Sequence, residues 1–254
     1  MGKIIAVANQ KGGVGKTTTS VNLSACLAEL GRRVLLVDID PQGNATSGLG
    51  KTDIQTPTIY DVLLGETAAE EALLDTGYGT LSLMPAAIEL AGAEIELVGM
   101  QDRELLLKRA LTPLKERFDY LLIDCPPSLN LLTLNALTAA DTVLIPIQCE
   151  YYALEGVGQL LNTVKLMRRK LNPSLGIEGI VLTMYDGRTN LCAQVVQEVR
   201  SHFPNEAFET MIPRNVRLSE APSYGLPIHL YDARCSGTQA YRALAKEMNR
   251  RNGG

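Results

Sequence analysis

The sequence predicts a doubly wound α/β fold: a mostly parallel sheet with helices on both faces. Three observations predict it. Short apolar runs recur along the chain, segments with helical spacing lie between them, and the first run leads straight into a glycine-rich loop. The runs are IIAVA (4–8), VLLV (34–37), LLI (121–123), VLI (143–145) and IVL (180–182). They are continuous rather than alternating, as expected of strands buried on both faces of a parallel sheet. Alternation of such strands with helical segments means βαβ units.

A helix is expected to start near Lys16. Residues 101–118 read as helical, with Leu107, Ala110, Leu111, Leu114 and Phe118 on one face. Residues 154–171 do the same through Val157, Leu160, Leu161, Val164, Met167 and Leu171, and Pro173 stops them. Residues 51–100 are the least regular part and are expected to decorate the sheet. With no repeat, low-complexity tract or linker, residues 1–254 are expected to form a single domain.

Composition narrows the class. Hydrophobic residues make up 46% and charged residues 20%, ordinary for a globular chain. The five cysteines (26, 125, 149, 192 and 235) are scattered and never in C-x-x-C spacing. That points to reduced thiols rather than a disulfide framework or a zinc site. No apolar run approaches the ~18 residues of a membrane span, and MGKIIAVANQ runs into a strand with no cleavable signal. A soluble, cytoplasmic protein is the expectation. The net charge of −4 is unevenly spread: residues 1–150 carry −8 and residues 151–254 carry +4. The basic half is either solvated helix surface or a face for a polyanion.

NQKGGVGKTTT (9–19) carries the chemistry. It fits the end of the phosphate-loop pattern G-x-x-x-x-G-K-[ST], but Gln10 stands where the first glycine belongs and a second lysine, Lys11, follows it. Between a strand and a helix, Gly12, Gly13, Val14 and Gly15 can turn backbone N–H groups toward phosphate oxygens at a helix N-terminus. Lys16 would reach the β- and γ-phosphates and the Thr17 hydroxyl would ligate Mg²⁺, with Thr18 completing the loop. Such a site also needs strand-end carboxylates for the metal. LLIDCPP offers Asp124, and VLLVDIDPQGN offers Asp38 and Asp40. A lone strand-end aspartate is often a helix cap; three of them beside one phosphate loop suit a ligand at the carboxyl edge of the sheet. Asp38 and Asp124 are placed for the Mg²⁺ shell. Asp40, in the polar loop before Gly43, is placed to orient the attacking water.

KGGVGKTT, VDIDPQGNATSGLG, LLIDCPPS and MIPRNVRLSEAPS together resemble the deviant Walker A ATPases, and within them the ParA proteins of chromosome or plasmid partition, often called Soj. The resemblance covers essentially the whole chain. It implies ATP and Mg²⁺ as cofactors and an ATP-dependent homodimer in which Lys11 reaches the partner subunit's nucleotide. A cation supplied in trans neutralises γ-phosphate charge only when the dimer forms. The resemblance sets Pro213 and Asn215 against the adenine, where the residues alone read equally well as a strand-to-helix turn. It also implies nonspecific binding of double-stranded DNA through Arg188 and Arg217, with Arg214 a weaker candidate. A ParB-like centromere-binding partner would stimulate hydrolysis, and the protein would associate with the nucleoid.

The MRRK run (167–170) is the more obvious basic cluster, but it sits at a helix C-terminus, where cations are favoured anyway. Three other classes share the first motif. A membrane-cycling, MinD-like ATPase needs an amphipathic C-terminal anchor. AYRALAKEMNRRNGG offers Tyr241, Leu244 and Met248, few bulky residues for that purpose; they are expected to pack the last helix on the sheet. An iron–sulfur reductase needs paired cysteines, and Cys125 and Cys149 lack that family's glycine-flanked context. A metabolic ligase such as dethiobiotin synthetase needs a second small-molecule pocket.

Overall fold

The computed structural model of the protein describes residues 2–150 and 153–254. Seven strands form one sheet in the order β3-β4-β2-β5-β1-β6-β7. They are β1 (Lys3–Val7), β2 (Val34–Asp38), β3 (Leu74–Asp75), β4 (Leu81–Met84), β5 (Tyr120–Asp124), β6 (Thr142–Gln148) and β7 (Gly176–Thr183). All neighbours pair in parallel except β3, which runs antiparallel on β4. Each of the five apolar runs became a strand.

The helices are α1 (Lys16–Glu29), α2 (Asn44–Gly48), α3 (Ile59–Leu64), α4 (Leu90–Glu96), α5 (Leu106–Leu111) and α6 (Leu131–Ala139), then α7 (Ala153–Lys170), α8 (Asn190–His202), α9 (Val216–Glu220), α10 (Ile228–Tyr231) and α11 (Ser236–Arg251). Successive strand residues serve opposite layers. On β1, Ile4 and Ala6 join one core with Leu63, Leu107, Leu132 and Val157 of the α3–α8 layer. Ile5 and Val7 join the other with Leu23, Leu27, Leu244 and Met248 of α1 and α11. Each enclosed leucine contributes about 1.5–3 kcal/mol of transfer free energy, so both layers are held to the sheet along its length.

Two expectations are corrected. Residues 51–100 do more than decorate: they supply β3 and β4, two strands of the sheet. They escaped notice because β3 has two residues and β4 four, too few to set a period. The stretch 101–118 is not one helix. Pro113 has no N–H to continue an α-helix, so α5 ends at Leu111 and a 3-10 turn spans Pro113–Glu116. The predicted face survives the break, with Leu107, Leu111, Leu114 and Phe118 all buried. The final helix behaves differently again. Tyr241, Leu244 and Met248 are fully buried, packed on α1, where the Tyr241 and Thr19 hydroxyls lie 3.1 Å apart.

Candidate nucleotide site

The loop between β1 and α1 lies at the carboxyl edge of the sheet, above the ends of β2 and β5. Gly13 (φ 73°) and Gly15 (φ 85°) hold left-handed backbone that a side chain would strain. Gly15 is the N-cap of α1. The loop is tied down at several points. Asn9 Nδ2 donates to the Pro146 carbonyl (2.8 Å), and its Oδ1 accepts from the Lys11 N–H (3.0 Å). The Thr183 hydroxyl, at the end of β7, reaches the Val14 and Ile147 carbonyls (2.8 and 3.0 Å). Gln10, the residue that replaced the expected glycine, donates to Thr163 Oγ1 on α7 (2.9 Å).

Under the loop lies enclosed charge. Lys16 is buried, its Nζ donating to the Lys11 carbonyl (3.1 Å). Burial lowers its pKa, and the charges of Asp124 and Asp40 act in the opposite sense. Asp38 and Asp124 end adjacent strands in direct register and are fully buried. Asp124 Oδ1 accepts from Ser20 Oγ (2.7 Å), whereas Oδ2 is enclosed with no hydrogen-bond partner. Asp38 accepts from the Thr46 N–H and hydroxyl (2.8 and 2.7 Å) and from the Asp40 N–H (3.2 Å). Burial pushes both carboxyls above the ordinary range, and for Asp124 the Asp38 charge adds to it. Asp40 is buried and accepts the Gln42 N–H (3.0 Å).

Gly12, Gly13, Gly15, Lys16, Thr17, Thr18, Asp40, Asn44, Pro127 and Met184 wall a cavity of about 350 Å³. A buried ammonium, a ring of free backbone and an orphaned carboxylate oxygen fit a polyphosphate with its divalent cation. No three His, Cys, Asp or Glu side chains converge as a ready-made cage among the described residues, and Mg²⁺ ordinarily keeps several waters and phosphate oxygens anyway. A larger cavity, about 760 Å³, opens at the opposite edge of the sheet. Its Lys3, Arg33 and Lys115 are already paired with Glu178, Asp119 and Asp141, so they offer little to a phosphate.

The other predicted residues are spread around this centre. Lys11 is not turned into the cavity. Its ammonium lies at the rim, 42% exposed, 3.1 Å from the half-exposed Glu150 carboxylate. Pro213 pairs with Tyr185, one residue beyond the cavity-lining Met184. Asn215 caps α9, accepting from the Arg217 N–H (2.8 Å) and donating to Ser236 Oγ (2.7 Å). Neither walls the cavity. Arg188 is 88% exposed and grips Asp186 (2.7 Å). Arg214 is exposed and close enough to Asp186 to influence its charge. Arg217 meets Glu220 (2.8 Å) and Asp232 (3.6 Å). In the MRRK run, Arg168 caps the Leu175 carbonyl and all three cations are exposed. The five cysteines are free, and burial pushes Cys125 well above the ordinary thiol range. Sequence reasoning missed Ser20, Thr46, Thr183, Thr163 and Glu150. Of these only Ser20 left a signal, four residues after Lys16 and so on the same helix face.

A glycine-rich loop between a central strand and a helix, with aspartates ending two adjacent strands beneath it, defines a P-loop nucleotide hydrolase. Residues 2–177 match the family model described as AAA domain. The chain is 61% identical over 250 residues to the sporulation initiation inhibitor protein Soj of Bacillus subtilis, covering 98% of both chains. It is 56% identical over 253 residues to the chromosome partitioning protein ParA of Myxococcus xanthus, covering 99% of this chain and 89% of that one. Among solved structures, a cobyrinic acid a,c-diamide synthase from Mycobacterium smegmatis with bound ATP analogue and magnesium superposes with a TM-score of 0.86 at 42% identity, covering 100% of this chain and 97% of that one. The chain belongs to the ParA/Soj family of chromosome-partitioning P-loop ATPases.

Proposed function

We propose that residues 1–254 act as one ATP-driven switch that segregates a chromosome or plasmid. ATP binds in the loop above Lys16, with Thr17, Asp38 and Asp124 placed to hold Mg²⁺ and its waters. Mg²⁺, when bound, supplies positive charge to the β- and γ-phosphates as the bond between them breaks. The backbone of Gly12 to Thr18 cradles the phosphates, and Pro213 and Asn215 flank the base. Asp40, on its short loop, orients the attacking water.

The observation that carries the switch is the position of Lys11. An ammonium at the rim, paired with a half-exposed carboxylate, can leave Glu150 for the γ-phosphate of a second subunit. ADP lacks that phosphate, so the dimer forms with ATP and dissolves after hydrolysis. The dimer doubles the cations Arg188, Arg217 and Arg214 against one DNA duplex, and two linked weak contacts make one strong one. A ParB-like centromere-binding protein accelerates hydrolysis and so releases DNA locally, on the nucleoid within the cytoplasm. The membrane-cycling alternative lacks support from the last helix, whose apolar stripe is spent on α1; among the described residues no helix is long and apolar enough to cross a membrane.

The test is binding of Asp40→Ala protein to a random-sequence duplex, with ATP and Mg²⁺ or with ADP, across a salt series. Binding with ATP alone, weakening steeply with salt, is expected, and adding Lys11→Ala should abolish it. An Asp40→Ala protein that binds ATP but no DNA in either state would overturn the DNA-coupled switch.

A further inference from the structure

One acidic stretch of the chain, residues 52–102, plays no part in the function so far described. From Thr52 to Asp102 the sequence holds ten Asp and Glu residues and no Lys or Arg. The same stretch carries an apolar face that the fold leaves uncovered. One continuous helical segment runs from Ile88 through α4 to the 3-10 turn at Leu97–Gly99. Its inner stripe, Leu90, Ala93 and Leu97, is buried. Its outer stripe, Ile88, Ala91, Ile95 and Val98, has the same spacing of three and four residues. Of these, Ile88 is 70%, Ile95 80% and Val98 59% exposed. A helix with apolar residues on both sides is built to be covered on both sides.

We propose that this outer face of α4 is the docking surface for a basic, amphipathic helical segment of the partner protein that stimulates hydrolysis. The inference rests on the partner-stimulated reading above. Charge selects the occupant. Glu89, Glu94 and Glu96 border the stripe on its own helix, and Asp61 and Glu66 crowd Tyr60, whose hydroxyl donates to Glu96. Glu94 Oε1 is enclosed with no hydrogen-bond partner. Arg103 is engaged with Glu104 and the Val98 carbonyl and Arg109 with Asp102, which leaves Lys51, across the cavity from Ile88, as one cation against these carboxylates. The field therefore draws a cationic segment and repels DNA. The stripe is about 15 Å long, enough for roughly three turns of a partner helix.

The face is also wired to the nucleotide site. Ala86, two residues before Ile88, donates its N–H to Thr46 Oγ1 (3.1 Å), and the same hydroxyl donates to Asp38. Ile88 and Glu89 border a cavity of about 680 Å³ whose far wall is Pro41, Gln42 and Gly43, the loop that follows Asp40. An occupant that shifts residues 86–89 thereby moves the ligands that hold Asp38 and the loop that carries Asp40.

Two probes test this: the ParB-like protein of the same genome, and a short synthetic peptide with leucine and lysine at amphipathic helical spacing. Hydrogen exchange of residues 86–99 and ATP turnover are read with each. Both probes should slow exchange over 86–99. The Ile95→Lys, Val98→Lys double variant should weaken peptide binding about ten-fold or more and abolish stimulation. Thermal melting reports whether its fold survives, and Glu89→Lys, a single exposed change, should weaken binding and flatten its salt dependence. Unchanged exchange over 86–99 with both probes would overturn the proposal, as would full stimulation of the double variant. So would ATP-independent self-association lost in that variant, which would make the occupant a second copy of this chain. If the peptide protects the face but the ParB-like protein does not stimulate, the docking surface stands and the ParB-like partner falls.

Discussion

At the carboxyl edge of the sheet, Lys16, Asp38 and Asp124 are enclosed, and one Asp124 oxygen has no hydrogen-bond partner among the described residues. Along residues 186–232, Arg188 and Arg217 stand in water, each already facing a carboxylate. The first region keeps its charges poised at the expense of stability, because burying an unpaired polar atom is unfavourable. The second has nothing stored, since exposed ion pairs contribute little and are screened by salt. The difference teaches what each can do. Enclosed, unneutralised charge binds one shaped ligand tightly. Exposed, exchangeable pairs trade their carboxylates for any phosphate backbone, without regard to sequence.

The sharpest way to break this contrast is Lys16→Ala. Removing this buried cation under the loop should cost about two orders of magnitude or more in affinity for an ATP analogue, measured by calorimetry. Affinity within a few-fold of the parent would place the nucleotide elsewhere. A smaller effect is expected at the exposed region. Arg188→Glu or Arg217→Glu should weaken duplex binding about ten-fold and make the salt slope shallower by about one unit or more, with analogue affinity unchanged. Unaltered gel shifts would move the DNA face to another surface, the MRRK run being the next to test.

The smallest effect is a slope. Burial raises Asp38 from 3.8 to about 6, and burial with the Asp38 charge raises Asp124 to about 7. Between pH 4 and pH 7, roughly, the folded chain keeps protons that the unfolded chain has lost. Stability of the metal- and nucleotide-free protein should therefore fall as pH rises through that window and level off above it. Asp124→Asn should remove much of this decline in melting temperature. A parallel profile in the variant would mean that Asp124 is ionised throughout.

Much of this was legible in the chain itself. Five strands announced themselves because both faces of a parallel strand are buried, which leaves an unbroken apolar run. The loop was legible because only glycines tolerate its left-handed turns and only a lysine at that spacing reaches its floor. Residues 51–100 were not, since strands of two and four residues carry no period, and Pro113 split a helix whose apolar spacing looked continuous. Thr46 and Ser20, which hold the two buried aspartates, gave little signal because a hydroxyl is unremarkable until a carboxylate lies beside it.

By itself, then, the sequence determined five of the strands and their alternation with helices, the phosphate loop and the aspartates at the strand ends. Each of those follows from local spacing and the physics of burial along one chain. Tertiary structure alone decided that Asp38 and Asp124 share one enclosed space, that Lys11 rests on Glu150 outside the cavity, and that Tyr241, Leu244 and Met248 are consumed by α1. It also left Ile88, Ile95 and Val98 uncovered. Those outcomes depend on which distant segments meet, and no short-range pattern encodes that.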